Sequence, residues 1–132
     1  MESLAEMVRK AREAGACEKA LRQIKGYKKD IEALNKDKNA PFWAYWYARN
    51  VVKGRFEAGE DAIARDAHRS YSYANRVLNG RFEAGEPVIA TDSYWACYYA
   101  IVVLKGRFEA GEDAIATDYR VSEIYNRVIL SK

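Results

Sequence analysis

The residues able to do chemistry recur in register along this chain. Glu57, Glu83 and Glu109 stand at matching places, as do Glu60, Glu86 and Glu112, and Asp66, Asp92 and Asp118. Arg55, Arg81 and Arg107 accompany them. A catalytic centre needs unlike groups converging on one point, whereas a group present in every unit serves the unit. These residues are therefore read as scaffold: helix caps and inter-repeat ion pairs, with the arginines in a ladder against neighbouring glutamates, each exposed pair modest in energy. His68, the single histidine, is flanked by Ser70 and Ser72, but no glycine elbow or oxyanion loop accompanies it. Cys17 and Cys97 lie outside any CxxC, so a zinc site would have to borrow carboxylates. They are read as reduced thiols packed between helices. The glycine-rich heptapeptide GRFEAGE lacks the GxxxxGK[ST] of a P-loop and puts an acid where phosphate needs a base. No catalytic residue, metal ligand or cofactor site is assigned, and the chain is read as not an enzyme.

Composition agrees. With 132 residues, 49% hydrophobic and 31% charged, the chain is long and apolar enough to fold as one domain without a metal or disulfide. Two prolines and eight glycines leave room for long helices. Lys plus Arg total 22 against 19 acids, a net charge of +3, and the two signs are interspersed as on an ordinary solvated surface. A nucleic-acid binder usually gathers its basic residues on one face. The apolar run from Trp95 to Leu104 is too short to span a bilayer. The opening MESLAEMVRKAREAG mixes acids and bases and lacks the apolar stretch of a signal peptide. These features predict a cytoplasmic protein with no membrane partner.

The elements that position these groups repeat. GRFEAGE begins at Gly54, Gly80 and Gly106, a period of 26 residues, followed by DAIARD, PVIATD and DAIATD. An aromatic-rich segment precedes each copy. Each unit reads as a helix pair. The longer helix, 67–79 in the second copy, starts after an N-cap aspartate (Asp66, Asp92 or Asp118). Ala67, Tyr71, Ala74 and Leu78 form its predicted inward stripe. Gly54, Gly80 or Gly106 is its predicted left-handed stop. The shorter helix covers 60–65 and its equivalents, with Pro87 in the first turn of one copy and Ile63, Ile89 and Ile115 as anchors. One anchor cannot hold a short helix alone, so each unit must stack on the next. The expected fold is all-α: a short right-handed α-solenoid of helix-pair repeats over 41–132, continuous with an N-terminal helical cap over 1–40. In that cap Ser3 and Glu6 make a capping box, Leu4, Met7, Val8 and Ala11 form an apolar face, Gly15 stops the first helix, and further helices are predicted over 16–25 and 30–34. NRV at 75–77 and again at 126–128, a shift of 51, predicts one residue lost after Asp118 in a terminal capping unit.

The stretches KGRFEAGEDAIARD (53–66), NGRFEAGEPVIATD (79–92) and KGRFEAGEDAIATD (105–118), with YSYA (71–74) and CYYA (97–100), resemble short α-helical repeat proteins encoded by tailed bacteriophages. Units of that family are built on KGRWPEGE; here Phe replaces the Trp in every copy. The resemblance covers about residues 41–132 and implies the repeat architecture. It implies no activity, because the family shares none. It places the chain in a bacterial host cytoplasm with a host protein as partner, and inhibition of a host defence protein fits that setting.

Positions that vary while the frame stays constant either line a binding face or repair local packing. Phe42, His68 and Tyr94 correspond, as do Trp43, Arg69 and Trp95; Trp46, Ser72 and Tyr98; and Asn50, Arg76 and Val102. Tyr, Trp and Arg dominate interface energetics. The predicted contact residues are therefore Phe42, Trp43, Trp46, Arg49, His68, Arg69, Arg76, Tyr94, Trp95 and Tyr98, the competing reading being gap-filling between helices. The expectation is a non-catalytic protein-binding module, monomeric or a small homo-oligomer. The second reading is a nucleic-acid binder using arginine and stacked aromatics.

Overall fold

A computed structural model describes residues 4–15 and 39–131, and among these the chain is all-α with no strand. It forms two compact units, Met1–Ile63 and Ala64–Lys132.

In the first unit, helix α1 spans Leu4–Glu13 and buries Ala11. Gly15 follows at φ 93°, the left-handed stop that its position predicts. Ser3 of the capping box, Cys17 and the helices expected over 16–25 and 30–34 lie outside the described residues. Helix α2, Ala40–Tyr47, carries Pro41 in its first turn and widens into a π-helical turn, Ala48–Val52. Helix α3, Glu57–Ile63, packs back on α2 around the fully buried Tyr47 and Ile63.

The second unit shows the repeat in successive copies. Helix α4, Ala67–Tyr73, passes into a π-turn, Ala74–Leu78; a 3-10 turn, Glu83–Gly85, then leads into the short helix α5, Glu86–Ile89. The next copy gives α6, Ser93–Tyr98, a π-turn Tyr99–Leu104, a 3-10 turn Glu109–Gly111 and α7, Glu112–Ala116. The last gives α8, Tyr119–Tyr125, and a π-turn Asn126–Leu130. Each long helix packs against the short helix of its own copy and the long helix of the next: α4 on α5 and α6, α6 on α7 and α8.

The aspartates cap as expected. Asp66, Asp92 and Asp118 accept from the backbone N–H of Arg69, Trp95 and Val121 at 2.8, 3.0 and 3.2 Å. Ile63, Ile89 and Ile115 are buried. The inward stripe of α4 differs from expectation: Ser70, Tyr73 and Ala74 are fully buried, while Ala67, Tyr71 and Leu78 are only partly covered. In the regular first half of α4 the buried face runs through Ser70, Tyr73 and Ala74, one residue round the helix from the expected stripe, and the π-turn shifts only the residues from Ala74 onward.

The same π-turn moves the helix stop. The left-handed residues are Lys53, Asn79 and Lys105, at φ 56, 53 and 55°, and not Gly54, Gly80 and Gly106. Each of those glycines instead sends its N–H back to the carbonyl of Ala48, Ala74 or Ala100. A Cβ on Gly54 would meet nothing within 4 Å. The sterically required glycines are the other ones in each motif. A Cβ on Gly85 would lie 2.6 Å from Phe82 Cδ2 and 2.7 Å from Ser70 Cβ. On Gly111 it would lie 2.7 Å from Phe108 Cδ2 and 2.8 Å from Ala96 Cβ.

No residue is lost after Asp118. Ser131 N–H bonds to Asn126 O as Asn79 N–H bonds to Ala74 O, so the copies stay in register and the shifted NRV match is coincidental. What changes in the last copy is chemistry: Asn126 is exposed where Ala74 and Ala100 are buried.

Candidate functional site

The frame residues are consumed by one clasp. Arg81 grips Glu86 with two hydrogen bonds, Nε to Oε2 at 3.0 Å and a terminal nitrogen to Oε1 at 2.9 Å. Tyr99, from the following copy, donates its hydroxyl to Glu86 Oε2 at 2.6 Å and accepts the backbone N–H of Phe82 at 3.1 Å. Phe82 packs edge-on to Tyr73, with ring centroids 4.9 Å apart. The next joint repeats this with Arg107, Glu112, Tyr125 and Phe108, the hydroxyl bonds being 2.6 and 3.0 Å. The arginine–glutamate pairs thus sit inside one motif; the link between copies is the tyrosine. Burial, then the bond to glutamate, raises the pKa of Tyr99 and Tyr125. The bonds from Arg107 and Tyr125 lower that of Glu112. The tyrosines at 47, 73, 99 and 125 recur every 26 residues, a signal the variable-position reading passes over.

Six of the predicted contact residues gather in the second unit. His68 stacks on Trp95, rings 4.4 Å apart and 5° from parallel. Tyr94 meets Trp95 edge-on at 4.7 Å and leans on Tyr98 at 4.7 Å. Tyr71, not among the predicted contacts because the regular stripe turned it inward, lies 5.1 Å from Trp95. A terminal nitrogen of Arg69 lies against the His68 ring, 3.2 Å from Nδ1 and 3.5 Å from Nε2. Burial, then Arg69, then Arg76 lower the His68 pKa against the opposing pull of Asp66. Arg76 is exposed and also acts on Tyr71, whose pKa burial raises. Tyr94 is 48% exposed. Two successive copies therefore build one aromatic patch edged by arginine.

The remaining candidates lie in the first unit. Phe42 is 54% exposed, Trp46 is partly covered, and Arg49 borders an open groove of about 670 Å³ with Lys10, Glu13 and Lys53. Trp43 is not a surface residue: it is 4% exposed and packs edge-on against Tyr47 at 5.4 Å. Its indole N–H is buried, and among the described residues it has no hydrogen-bond partner.

His68 is taken up by Trp95 and Arg69, and both flanking serines are buried, so the three do not present a nucleophile with its base. Among the described residues no three potential ligands cluster around a metal position, and no helix is long and apolar enough to cross a membrane. No family model matches the chain, and neither does any curated protein or solved structure with which it was compared.

Proposed function

We propose that this chain is a non-catalytic helical-repeat module that binds another protein through the aromatic patch around Trp95. The observation that carries this reading is the exposure of Tyr94 within a ring cluster drawn from two copies, at the positions where the repeat departs from its own pattern. The frame is satisfied internally by the arginine–glutamate–tyrosine clasps, so the variable residues are the ones available to specify a partner. Rigid aromatics give contact area at low entropic cost, and arginine flanks them, as at interface hot spots. The likeness to phage repeats makes the partner a host protein in a bacterial cytoplasm, with inhibition of a defence protein as one consequence of binding. In this reading residues 1–40 cap a continuous α-solenoid, and the chain acts as a monomer or small homo-oligomer.

The test is capture from bacterial lysate on immobilised chain, comparing wild type with Tyr94→Ala/Tyr98→Ala by quantitative mass spectrometry. One anchor is worth roughly 2 kcal/mol, about thirtyfold in affinity. The expected result is a protein retained by wild type and lost by the variant, whose melting stays cooperative. Equal retention by both, or specific retention by neither, overturns the proposal.

A further inference from the structure

Resting on the protein-binding reading above, we infer that His68 is a pH-sensitive shutter on the Trp95 patch: the neutral imidazole lies flat on Trp95, and the charged one leaves it and uncovers the indole. The placement carries this. His68 comes from α4 and Trp95 from α6, so their stack, 4.4 Å between centroids and 5° from parallel, covers the indole across two copies. His68 is the single histidine, the side chain whose ordinary charge change falls between pH 5 and 8. A terminal nitrogen of Arg69 lies 3.2 Å from its Nδ1 and 3.5 Å from its Nε2. A guanidinium only donates, and an imidazolium carries N–H on both nitrogens. The neutral ring offers an acceptor at that contact in either tautomer; the charged ring offers none. The contact therefore belongs to the neutral state, whatever else Arg69 touches.

The surroundings set the direction. Burial and then Arg69 disfavour the charged ring, Arg76 in the π-turn adds to them, and Asp66 opposes. The Asp66 carboxylate accepts the Arg69 backbone N–H, and that of Asp92, at the start of α6, accepts the Trp95 backbone N–H. The short-helix side of α4 brings Glu86, held by Arg81 and Tyr99, and the exposed Glu83. Tyr71, Tyr94 and Tyr98 around the stack are phenols, neutral over this range. A cation over an indole gains an attraction of its own, but the charged ring cannot keep it while the guanidinium nitrogen stays at contact distance. Of the two side chains His68 is exposed and Arg69 partly covered, so His68 is the one that moves. With the imidazole gone, a face of Trp95 opens beside Tyr71 and Tyr94. The patch then offers a partner more aromatic surface in mild acid than at neutral pH.

The experiment titrates the full chain from about pH 8 to about pH 5 and follows the His68 ring protons and the Trp95 indole by NMR, with backbone amides of α7 and α8 as the control that the fold is intact. The His68 midpoint should fall below the ordinary histidine value of about 6.5. Cross-relaxation between the His68 ring and the Trp95 indole should be present above that midpoint and lost below it, and the Trp95 indole signal should trace the same curve. Arg69→Gln should raise the midpoint and keep the stack in acid. His68→Gln should leave the Trp95 signal flat across the range. A midpoint at or above the ordinary value, a stack that persists through protonation, or a Trp95 signal that does not track His68 overturns the shutter. None of these outcomes bears on the protein-binding reading, which the lysate capture tests separately.

Discussion

Replacing Gly85 by alanine separates steric need from backbone freedom. The new methyl would sit 2.6 Å from Phe82 Cδ2 and 2.7 Å from both Cβ and Oγ of Ser70. Comfortable carbon contacts lie near 3.5–4.0 Å, so about 1 Å of movement is needed on two sides. Neither neighbour can yield cheaply. Ser70 is fully buried in α4, and Phe82 is held by Tyr73 on its ring and by Tyr99 at its backbone N–H. Overpacking of this kind costs about 1–3 kcal/mol. The gain from a stiffer unfolded chain returns about 0.4–1 kcal/mol. The net expectation is a loss of about 1–2 kcal/mol, a fall in melting temperature of roughly 3–10 °C for a chain this size. Gly80→Ala is the control. Its Cβ would meet only Leu78 O at 4.0 Å, and its φ is not left-handed, so it should be neutral or slightly stabilising. Urea and thermal melts followed by circular dichroism decide the matter. A Gly85→Ala protein as stable as wild type, or one more stable than Gly80→Ala, would refute the close-approach argument.

Tyr99→Phe keeps the buried ring but strips Phe82 N–H and Glu86 of a partner; the expected loss is about 1–3 kcal/mol in urea unfolding, and no loss would remove the clasp as a stabilising link. Stability should also fall at both pH extremes. Glu112 has a lowered pKa, so its contribution is present above the unfolded carboxylate value and is lost as pH drops through the folded one; Glu112→Gln should flatten that acid limb of urea midpoint against pH. Tyr99 and Tyr125 have raised pKa values, so their contribution holds below about pH 10, the unfolded phenol value, and is lost as pH climbs toward the folded ones; Tyr99→Phe/Tyr125→Phe should weaken that alkaline limb. Trp43→Phe should cost less than about 1.5 kcal/mol in the same assay, because deleting a buried N–H that has no partner among the described residues offsets part of the lost ring area; a loss above about 3 kcal/mol would mean that the N–H is satisfied.

The parts of this fold legible in the sequence are those set by local chemistry. Aspartate caps and isoleucine anchors act within a few residues, so spacing alone places them. The helix stops were misassigned because a π-turn inserts an extra residue per turn, which hydrophobic spacing does not encode; it puts Asn79 and the lysines, and not the glycines, in left-handed geometry. The site was half legible for a related reason. His68, Tyr94, Trp95 and Tyr98 stand out by departing from the repeat, and they do converge. Trp43 occupies the register of Trp95 yet is buried, because burial depends on what packs alongside and not on residue type. Tyr71 was hidden because the expected stripe falls one residue off the face that α4 buries, which runs through Ser70, Tyr73 and Ala74.

The clasp has a bearing on how such a chain can grow. Each joint draws its arginine and glutamate from one copy and its tyrosine from the next, and the geometry is the same at Phe82–Tyr99 and Phe108–Tyr125. An in-frame duplication of one 26-residue cassette therefore supplies every donor with its acceptor and leaves neither end of the new joint unmatched. Near-identical cassettes are also favourable substrates for unequal recombination. Because the joints ignore the residues at the variable positions, length and surface chemistry can drift independently, and a lineage could recast its contact surface one cassette at a time.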